Sequence, residues 1–311
     1  IEPADTDQLQ TLYGKMEFRR WLNELLETGA ATDQALGEAS PAEEQSEQFS
    51  VNRDAYKTLF NEEEVSDYIE QLKSADVIAF DTETTSLNYM EAQLVGVSFS
   101  IAEGEAVYIP VAHDYVGVEK QVDRDWLLKV LKPLLEDSSI AKVGQNLKYD
   151  AHILRRYGIK LRGIKNDTML ASYVFNSVGS RHDMDTLSLQ YLNHKPIKFE
   201  EIAGKGAKQL TFNQIELAQA APYAAEDADI TLRLHHILWD KVHQTGEQLA
   251  SVLTDIEVPL VSILTDMEEY GVKVDAEMLG KQSEEIANKL DELEQKAFEI
   301  AGEEFNLGSP K

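Results

Sequence analysis

Buried-strand patterns in the first half of this 311-residue chain constrain its fold more than any other feature. Residues 76–80 (DVIAF), 94–101 (LVGVSFSI) and 106–111 (AVYIPV) are apolar and β-branched, and a turn at Glu103 and Gly104 separates the last two runs. Runs of this length and composition are typical of buried strands. Strands then alternate with helical patterns as far as about residue 245, which predicts an α/β fold with a mixed central sheet flanked by helices.

The helical patterns can be placed from apolar spacing and from capping residues. We expect Asn146 to cap a helix over 147–157, Thr211 to cap one over 212–220, and Pro222 to occupy the first position of the next, over 222–244. Helices are also expected over 63–72, 125–136, 167–176 and 183–193, with a short strand at 140–143.

The two ends of the chain differ from this middle part. Residues 1–29 have apolar residues at helical spacing, whereas 30–50 are Ala, Glu, Ser, Gln and Gly with little to bury, which predicts a flexible acidic linker. Residues 51–245 form the predicted α/β domain, and 246–311 are entirely helical in pattern, with one amphipathic helix over 252–270 that ends at Gly271.

Composition excludes several classes of protein. The chain has no cysteine, so disulfides, thiolate catalysis and Cys-ligated zinc are excluded, and a cytosolic protein is favoured. No apolar run approaches 18 residues, so we expect no membrane span. The first residues lack a basic and an apolar region, which argues against a signal peptide. They also lack an initiator Met, and we expect a piece of a longer chain.

Charge is strongly negative overall but unevenly distributed. The net charge of −27 argues against a nonspecific nucleic-acid binder. Residues 1–50 contain 11 Asp or Glu and three Lys or Arg, whereas 141–165 contain seven Lys or Arg and Asp150. This basic strip fits a surface that faces nucleic acid, and it fits a solvated helix face equally well.

Acidic residues in three separate elements are the candidate catalytic groups. Asp81 and Glu83 end the first predicted strand and share one face of it, because alternate residues of a strand point the same way. Asp150 falls in the first turn of a predicted helix, and Tyr223 and Asp227 lie four apart on one helix face. Each has an ordinary explanation alone: a polar strand end, a favourable helix dipole, a common polar pair.

Taken together, these carboxylates predict a metal site. Hard cations such as Mg²⁺ and Mn²⁺ prefer carboxylate oxygen, and two such ions can clamp the attacking and leaving oxygens of a phosphodiester. The other motifs considered are missing from the sequence: it has no HExxH, no P-loop and no GxSxG.

The motifs around these residues are specific. FDTETTSL, VGQNLKYD, NDTMLASYVFNS, GSRHDMD, FEEIAGKG, LTFNQ and YAAEDADIT occur in this order within residues 62–245. They resemble the proofreading exonuclease domain of the bacterial DNA polymerase I family (family A), a member of the DEDDy superfamily with a ribonuclease H-like fold. Residues 246–311 resemble the start of the family's polymerase domain, leading into the thumb, without its active site. Residues 1–29 resemble the end of its 5′-nuclease domain.

The resemblance implies a role for each matching residue. Asp81, Glu83 and Asp227 would hold one divalent ion, Asp150 would serve a second through water, and Tyr223 would orient the attacking water. The ions would be Mg²⁺ or Mn²⁺, with Zn²⁺ as an alternative at the tighter site. The residues implied to line the site or hold the terminal nucleotides of DNA are Leu87, Gln145, Asn146, Met169, Arg181 and Phe199.

The resemblance also implies a working context. It predicts a monomeric 3′→5′ DNA exonuclease, cytoplasmic and nucleoid-associated in a bacterium, that acts on single-stranded or frayed 3′ ends beside the remainder of a polymerase chain. Two alternatives stay open: a catalytically silent scaffold or DNA-binding module of the polymerase, and a 3′ exonuclease that acts on RNA.

Overall fold

The computed structural model describes residues 51–179 and 181–309, and the helical tail and acidic linker expected over 1–50 lie outside the described residues. The sheet is mixed and has the strand order β1-β4-β3-β2-β5-β6. Its strands are β1 (Lys57–Thr58), β2 (Ile78–Thr84), β3 (Leu94–Ala102), β4 (Glu105–Pro110), β5 (Lys142–Gly144) and β6 (Ile164–Asp167).

Strand direction explains how the sheet is connected. β2, β3 and β4 form an antiparallel meander, while β5 pairs in parallel with β2, β6 with β5, and β1 with β4. The predicted strands of the first half are β2, β3 and β4. They read as nearly continuous apolar runs because helices cover both faces of the sheet. The predicted α/β class with a mixed sheet is confirmed.

The helices flank this sheet and then continue beyond it. They are α1 (Glu62–Lys73), α2 (Arg124–Glu136), α3 (Leu147–Arg156), α4 (Thr168–Phe175), α5 (Met184–Leu192), α6 (Phe199–Ala203), α7 (Leu217–Thr245), α8 (Glu247–Ser251), α9 (Val258–Tyr270) and α10 (Ala276–Ala301). One core cluster joins α1, α2 and α3 to the sheet, and a second joins α7 to the opposite face. α7 crosses β2, β3 and β4, which places its side chains over the centre of the sheet.

The expected cap of α3 is wrong. Asn146 has a left-handed backbone with φ 63° and makes no side-chain capping bond. The buried Asp167 takes that role, since its carboxylate accepts from the amides of Asn146 at 3.1 Å and Leu147 at 2.7 Å. The same carboxylate accepts from the Met169 amide at 2.9 Å and so also caps α4. A charged acceptor between two helix starts satisfies more amides than an Asn side chain can.

The expected start of a new helix at Pro222 is also wrong. Thr211 and Gln214 form a capping box around the 3₁₀ turn Phe212–Gln214, and α7 then runs from Leu217 through Pro222 without stopping. A proline inside a helix removes one backbone hydrogen bond. Burial of alanines on both sides of it, among them Ala221 and Ala224, offsets that loss by packing α7 against the sheet.

The expected single helix over 252–270 is divided. It consists of a π-helical segment (Val252–Glu257) and α9, ending as predicted at Gly271, and α8 precedes it directly. By length and composition, the 24 residues Glu247–Tyr270 could cross a membrane, contrary to expectation. The expectation looked for an uninterrupted apolar run, whereas the mean hydropathy of this segment is high although isolated charges interrupt it. However, Leu253 and Val261 are buried in core clusters of the described part of the chain. Such contacts are typical of a helix packed on its own domain.

The basic strip is largely engaged in contacts within the protein. On α3, Lys148 pairs with Glu268, and Arg155 pairs with Asp266 and Glu269, all three acids lying on α9. Lys142 is fully buried and donates to a backbone carbonyl. Two of the seven cations in this strip, Lys148 and Arg155, therefore bind the acidic end of α9, and the role of the others toward nucleic acid stays a prediction.

Candidate active site

The end of β2 presents the first two carboxylates. Asp81 and Glu83 alternate with Thr82 along the strand and lie on one face, as their spacing predicts. Glu83 is paired in register with Gly96 of β3, and the register shifts immediately after it, between Glu83 and Thr84. Bulges of this kind are frequent next to active sites, where they re-aim side chains.

The long helix α7 supplies the opposite wall. Asp227 and Tyr223 are one turn apart on its sheet-facing side, and the Tyr223 hydroxyl lies near enough to the Asp227 carboxylate for that charge to raise the pKa of the phenol. Asp81, Glu83 and Asp227 each offer a carboxylate oxygen, and these three oxygens lie within 4.8 Å of one another. A strand end and a helix far apart in sequence therefore converge on one small volume.

Asp150 lies beside this trio and is held differently. It is 1% exposed, and its Oδ1 accepts from the Thr82 amide at 3.0 Å and from the Thr82 hydroxyl at 2.6 Å. Thr82, which lies between Asp81 and Glu83 in the sequence, therefore links β2 to α3. Sequence reasoning missed it, because nothing local indicates a bond between residues 68 positions apart.

Burial and mutual repulsion set the protonation of these groups. Burial raises the pKa of Asp81 from 3.8 to about 6. Burial, followed by repulsion from Asp81, raises the pKa of Asp150 and of Asp227 well above the ordinary value. The pKa of Glu83 is raised in the same direction by burial and then by the charges of Asp81, Asp227 and Asp150. In Glu83, Asp150 and Asp227 the charges of neighbouring acids add to the effect of burial, and such a cluster calls for a positive charge among its members.

The donor set fits divalent cations. The Oε1 atom of Glu83 is buried and has no hydrogen-bond partner among the described residues, which is costly for a carboxylate oxygen unless a cation binds it. The neighbouring donors are carboxylate oxygens, the ligands that Mg²⁺ and Mn²⁺ prefer. Asp81, Glu83 and Asp227 would hold one ion, and Asp150 lies where it could serve a second.

The residues predicted to bind DNA are placed unequally. The ring of Phe199 lies 6.2 Å from that of Tyr223, centroid to centroid, so it borders the carboxylates. Gln145 donates to the His182 carbonyl at 2.9 Å, and Met169 is partly buried at the start of α4.

The other predicted DNA-binding residues are exposed. Leu87 is 93% exposed on the loop after β2, and Asn146 is also exposed. The Arg181 side chain is 87% exposed beside Asp183. Their roles toward DNA stay predictions.

Without metal, the stability of the protein should depend on pH in a defined direction. A carboxyl group whose pKa is raised on folding stabilises the folded state at low pH, and this contribution is lost as pH rises through the folded pKa. For Asp81 the window runs from 3.8 to about 6. In EDTA, the parent chain should therefore be less stable at pH 7.5 than the Asp81→Asn, Glu83→Gln variant by about 2 kcal/mol, and nearly equal at pH 4.5.

Urea unfolding of both proteins across this pH range measures the difference, and comparison with the variant cancels the many other acidic groups. Saturating Mn²⁺ should stabilise the parent and leave the variant unchanged. A difference between the two proteins that stays constant with pH would contradict the assignment.

Comparison with known proteins shows which family this chain belongs to. A family model described as 3′-5′ exonuclease matches residues 56–243. DNA polymerase I of Pseudomonas aeruginosa is 51% identical over 307 residues, covering 98% of this chain and 33% of that protein. DNA polymerase I of Rhizobium leguminosarum is 39% identical over 302 residues, covering 91% of this chain and 29% of that protein. The chain thus spans about a third of the length of these curated relatives.

Solved structures show the same fold. The POL domain of Pol1 from M. smegmatis, solved in complex with DNA primer-template and dNTP, superimposes with a TM-score of 0.64 at 22% identity, over 82% of this chain and 39% of that one. The catalytic core of RRP6 from Trypanosoma brucei gives a TM-score of 0.51 at 14% identity, over 67% of this chain and 52% of that one. The chain therefore belongs to the DNA polymerase I family and contains a 3′→5′ exonuclease domain that covers residues 56–243.

Proposed function

We propose that this domain removes nucleotides one at a time from the 3′ end of a DNA strand by a two-metal mechanism and thereby proofreads the product of a DNA polymerase I. The observation that carries the proposal is the convergence of Asp81, Glu83 and Asp227 oxygens within 4.8 Å, together with the unpartnered Oε1 of Glu83. The further setting is part of the same proposal: a monomeric, cytoplasmic and nucleoid-associated bacterial enzyme that works beside the rest of its polymerase chain.

The chemistry is hydrolysis of the last phosphodiester. Divalent ions bound by the carboxylates would stabilise charge on the phosphate and make a bound water more acidic. In hydrolysis, the oxygen of the attacking water forms a bond to phosphorus and gives up a proton. The bond from phosphorus to the 3′ oxygen of the preceding nucleotide breaks, and that oxygen takes up a proton. The products are a nucleoside 5′-monophosphate and a strand one nucleotide shorter with a free 3′ hydroxyl.

In this proposal Tyr223 orients the attacking water. Its hydroxyl lies beside the Asp227 carboxylate, and the lone pairs of its oxygen can accept a hydrogen from water. The negative charge of Asp227, followed by burial, raises the pKa of Tyr223 well above its ordinary value. The phenol therefore stays protonated at neutral pH and keeps its O–H donor.

The direct test is a digestion assay on matched strands. The chain should remove a 3′ label from single-stranded DNA in Mg²⁺, stop in EDTA, and act more slowly on an RNA strand of the same sequence. Faster digestion of RNA would favour the RNA exonuclease. Retention of the label over hours in excess Mn²⁺ would favour the silent scaffold, against which the complete set of carboxylates argues.

Replacement of Tyr223 by Phe should lower kcat on single-stranded DNA by on the order of 10²-fold, since the attacking water loses its orientation. KM should change little, because the hydroxyl is assigned to the water and not to the strand. Single-turnover rates at saturating DNA measure this step directly. Tyr270→Phe, at a side chain that is 94% exposed on α9, is the matched control and should keep the parent rate. Equal rates for both variants would remove Tyr223 from the mechanism.

A further inference from the structure

Glu226 directly precedes Asp227 on α7 but turns away from the catalytic carboxylates. Its side chain is fully buried, and its Oε1 accepts from Arg53 Nη2 at 2.7 Å and Nε at 3.2 Å. His194 Nε2 donates to the same oxygen at 2.9 Å. Its Oε2 accepts from the backbone amide of Ile197 at 2.8 Å. One carboxylate on the catalytic helix thus binds two other segments of the chain.

The segment that Glu226 holds forms one wall of a cleft. Lys195, Pro196 and Lys198, which surround Ile197, line a cavity of about 700 Å³. The opposite wall includes Arg181 and the first turn of α5. Three cations, Arg181, Lys195 and Lys198, line the cleft together with three acids, Asp183, Asp185 and Glu201. The cations on its two walls are the groups that would contact a phosphate backbone.

Residues on both walls of the cleft have neighbours in the candidate active site. Asp185, on its far wall, is close enough to Asp227 for its charge to act on that carboxylate. On the near wall, Phe199 follows Lys198 directly and packs edge to face against Tyr223. A DNA strand whose last nucleotide reaches Tyr223 would therefore pass the segment anchored at Ile197.

We propose that Glu226 is a positioning residue for the DNA strand: through the Ile197 amide it fixes the wall 195–199 against α7, so that Lys198 and Phe199 meet the nucleotides that enter the site. This inference rests on the proposed exonuclease function. The anchor acts on the backbone between the two binding residues, so its loss shifts both of them together.

A second buried carboxylate on α7 provides the matched control. Asp229 is also fully buried, and it accepts from Tyr56 Oη at 2.8 Å, from the Gly104 amide at 2.8 Å and from Arg233 Nε at 2.9 Å. Its backbone partner, Gly104, lies in the turn between β3 and β4 and does not line the cleft. A purely stabilising role for Glu226 would make the two residues equivalent.

The experiment compares Glu226→Gln with Asp229→Asn on a 3′-labelled single-stranded oligonucleotide in Mg²⁺, well below the unfolding temperature of either variant. Both variants should unfold at lower temperature than the parent. Only Glu226→Gln should raise KM, by about tenfold, which corresponds to about 1.4 kcal/mol. Its kcat should stay near that of the parent. Combination with Phe199→Ala should raise KM by less than the product of the single effects, because both changes disturb the same contact.

Ile197→Pro removes the amide hydrogen that Glu226 binds, together with the isoleucine side chain and the freedom of φ, and it replaces Glu226→Gln if that variant does not fold. An unchanged KM, or an equal rise in Asp229→Asn, would overturn the positioning role. A parent chain that leaves the DNA label intact would instead overturn the proposed function itself, so the two failures are distinguishable.

Discussion

Replacing Asp81 and Glu83 together by Ala is expected to reduce the rate of 3′ digestion of DNA by at least about 1,000-fold, equivalent to about 4 kcal/mol of transition-state stabilisation. The two side chains supply two of the three carboxylates that converge at this site. Asp227 alone on the opposite wall cannot hold a divalent ion against water. Single-turnover digestion of a 3′-labelled oligonucleotide in saturating Mg²⁺ measures the loss.

The fold should survive this double replacement. The two carboxylates repel each other and their neighbours, so their removal relieves charge in the metal-free protein, although it also opens a small cavity. Glu284→Ala with Glu285→Ala on the exposed face of α10 makes the same change in net charge far from the site and serves as the control. Full activity in the Asp81→Ala, Glu83→Ala variant would contradict the assignment of these residues as metal ligands. An equal loss of activity in the control would show that net charge is responsible.

Replacing Gly96 by Ala should cost about 3 kcal/mol of unfolding free energy, in the upper range for overpacking a core. A Cβ built on Gly96 would lie 2.2 Å from the hydroxyl oxygen of Tyr108 and 2.4 Å from its ring. That ring is fully buried, and its hydroxyl is bonded to His113 Nε2 at 2.8 Å, so it has little room to move. Because Gly96 pairs with Glu83, nuclease activity should fall as well.

Urea unfolding measures the cost, and Gly280→Ala is the control. Gly280 lies in α10, and no atom of the described residues lies within 4 Å of an added Cβ there, so this change should stabilise the protein by up to about 1 kcal/mol through helix propensity. A loss below about 0.5 kcal/mol in Gly96→Ala would show that Tyr108 moves aside more freely than its burial implies.

The parts of the structure that could be predicted from the sequence are those specified by local pattern. β2 to β4 are apolar runs because both faces of the sheet are covered, and the strand pair Asp81 and Glu83 and the helix pair Tyr223 and Asp227 follow from strand and helix periodicity. By contrast, β1 is two residues long, is polar in sequence, and is held by its pairing with β4. The division at residues 245 and 246 and the roles of the DNA-binding residues stay predictions.

Errors arose where a distant group replaced a local one. Asn146 is a good cap by type, but the carboxylate of Asp167 occupies that position in space. Pro222 usually marks a helix start, but packing on the sheet carries α7 through it. Thr82 lies on the strand face opposite Asp81 and Glu83, which is why it reaches Asp150. No local spacing encodes these partners, since each depends on the completed chain path.

The placement of the site on β2 and α7 has a consequence for protein synthesis. A growing chain on the ribosome carries Asp81 and Glu83 long before it carries Tyr223 and Asp227. Until α7 has emerged and crossed the sheet, the early carboxylates lack their third partner and the tyrosine that completes the site. A partly synthesised chain would therefore not hydrolyse any nucleic acid near it, including the mRNA being translated. Hydrolysis would begin only once α7 has packed across the sheet.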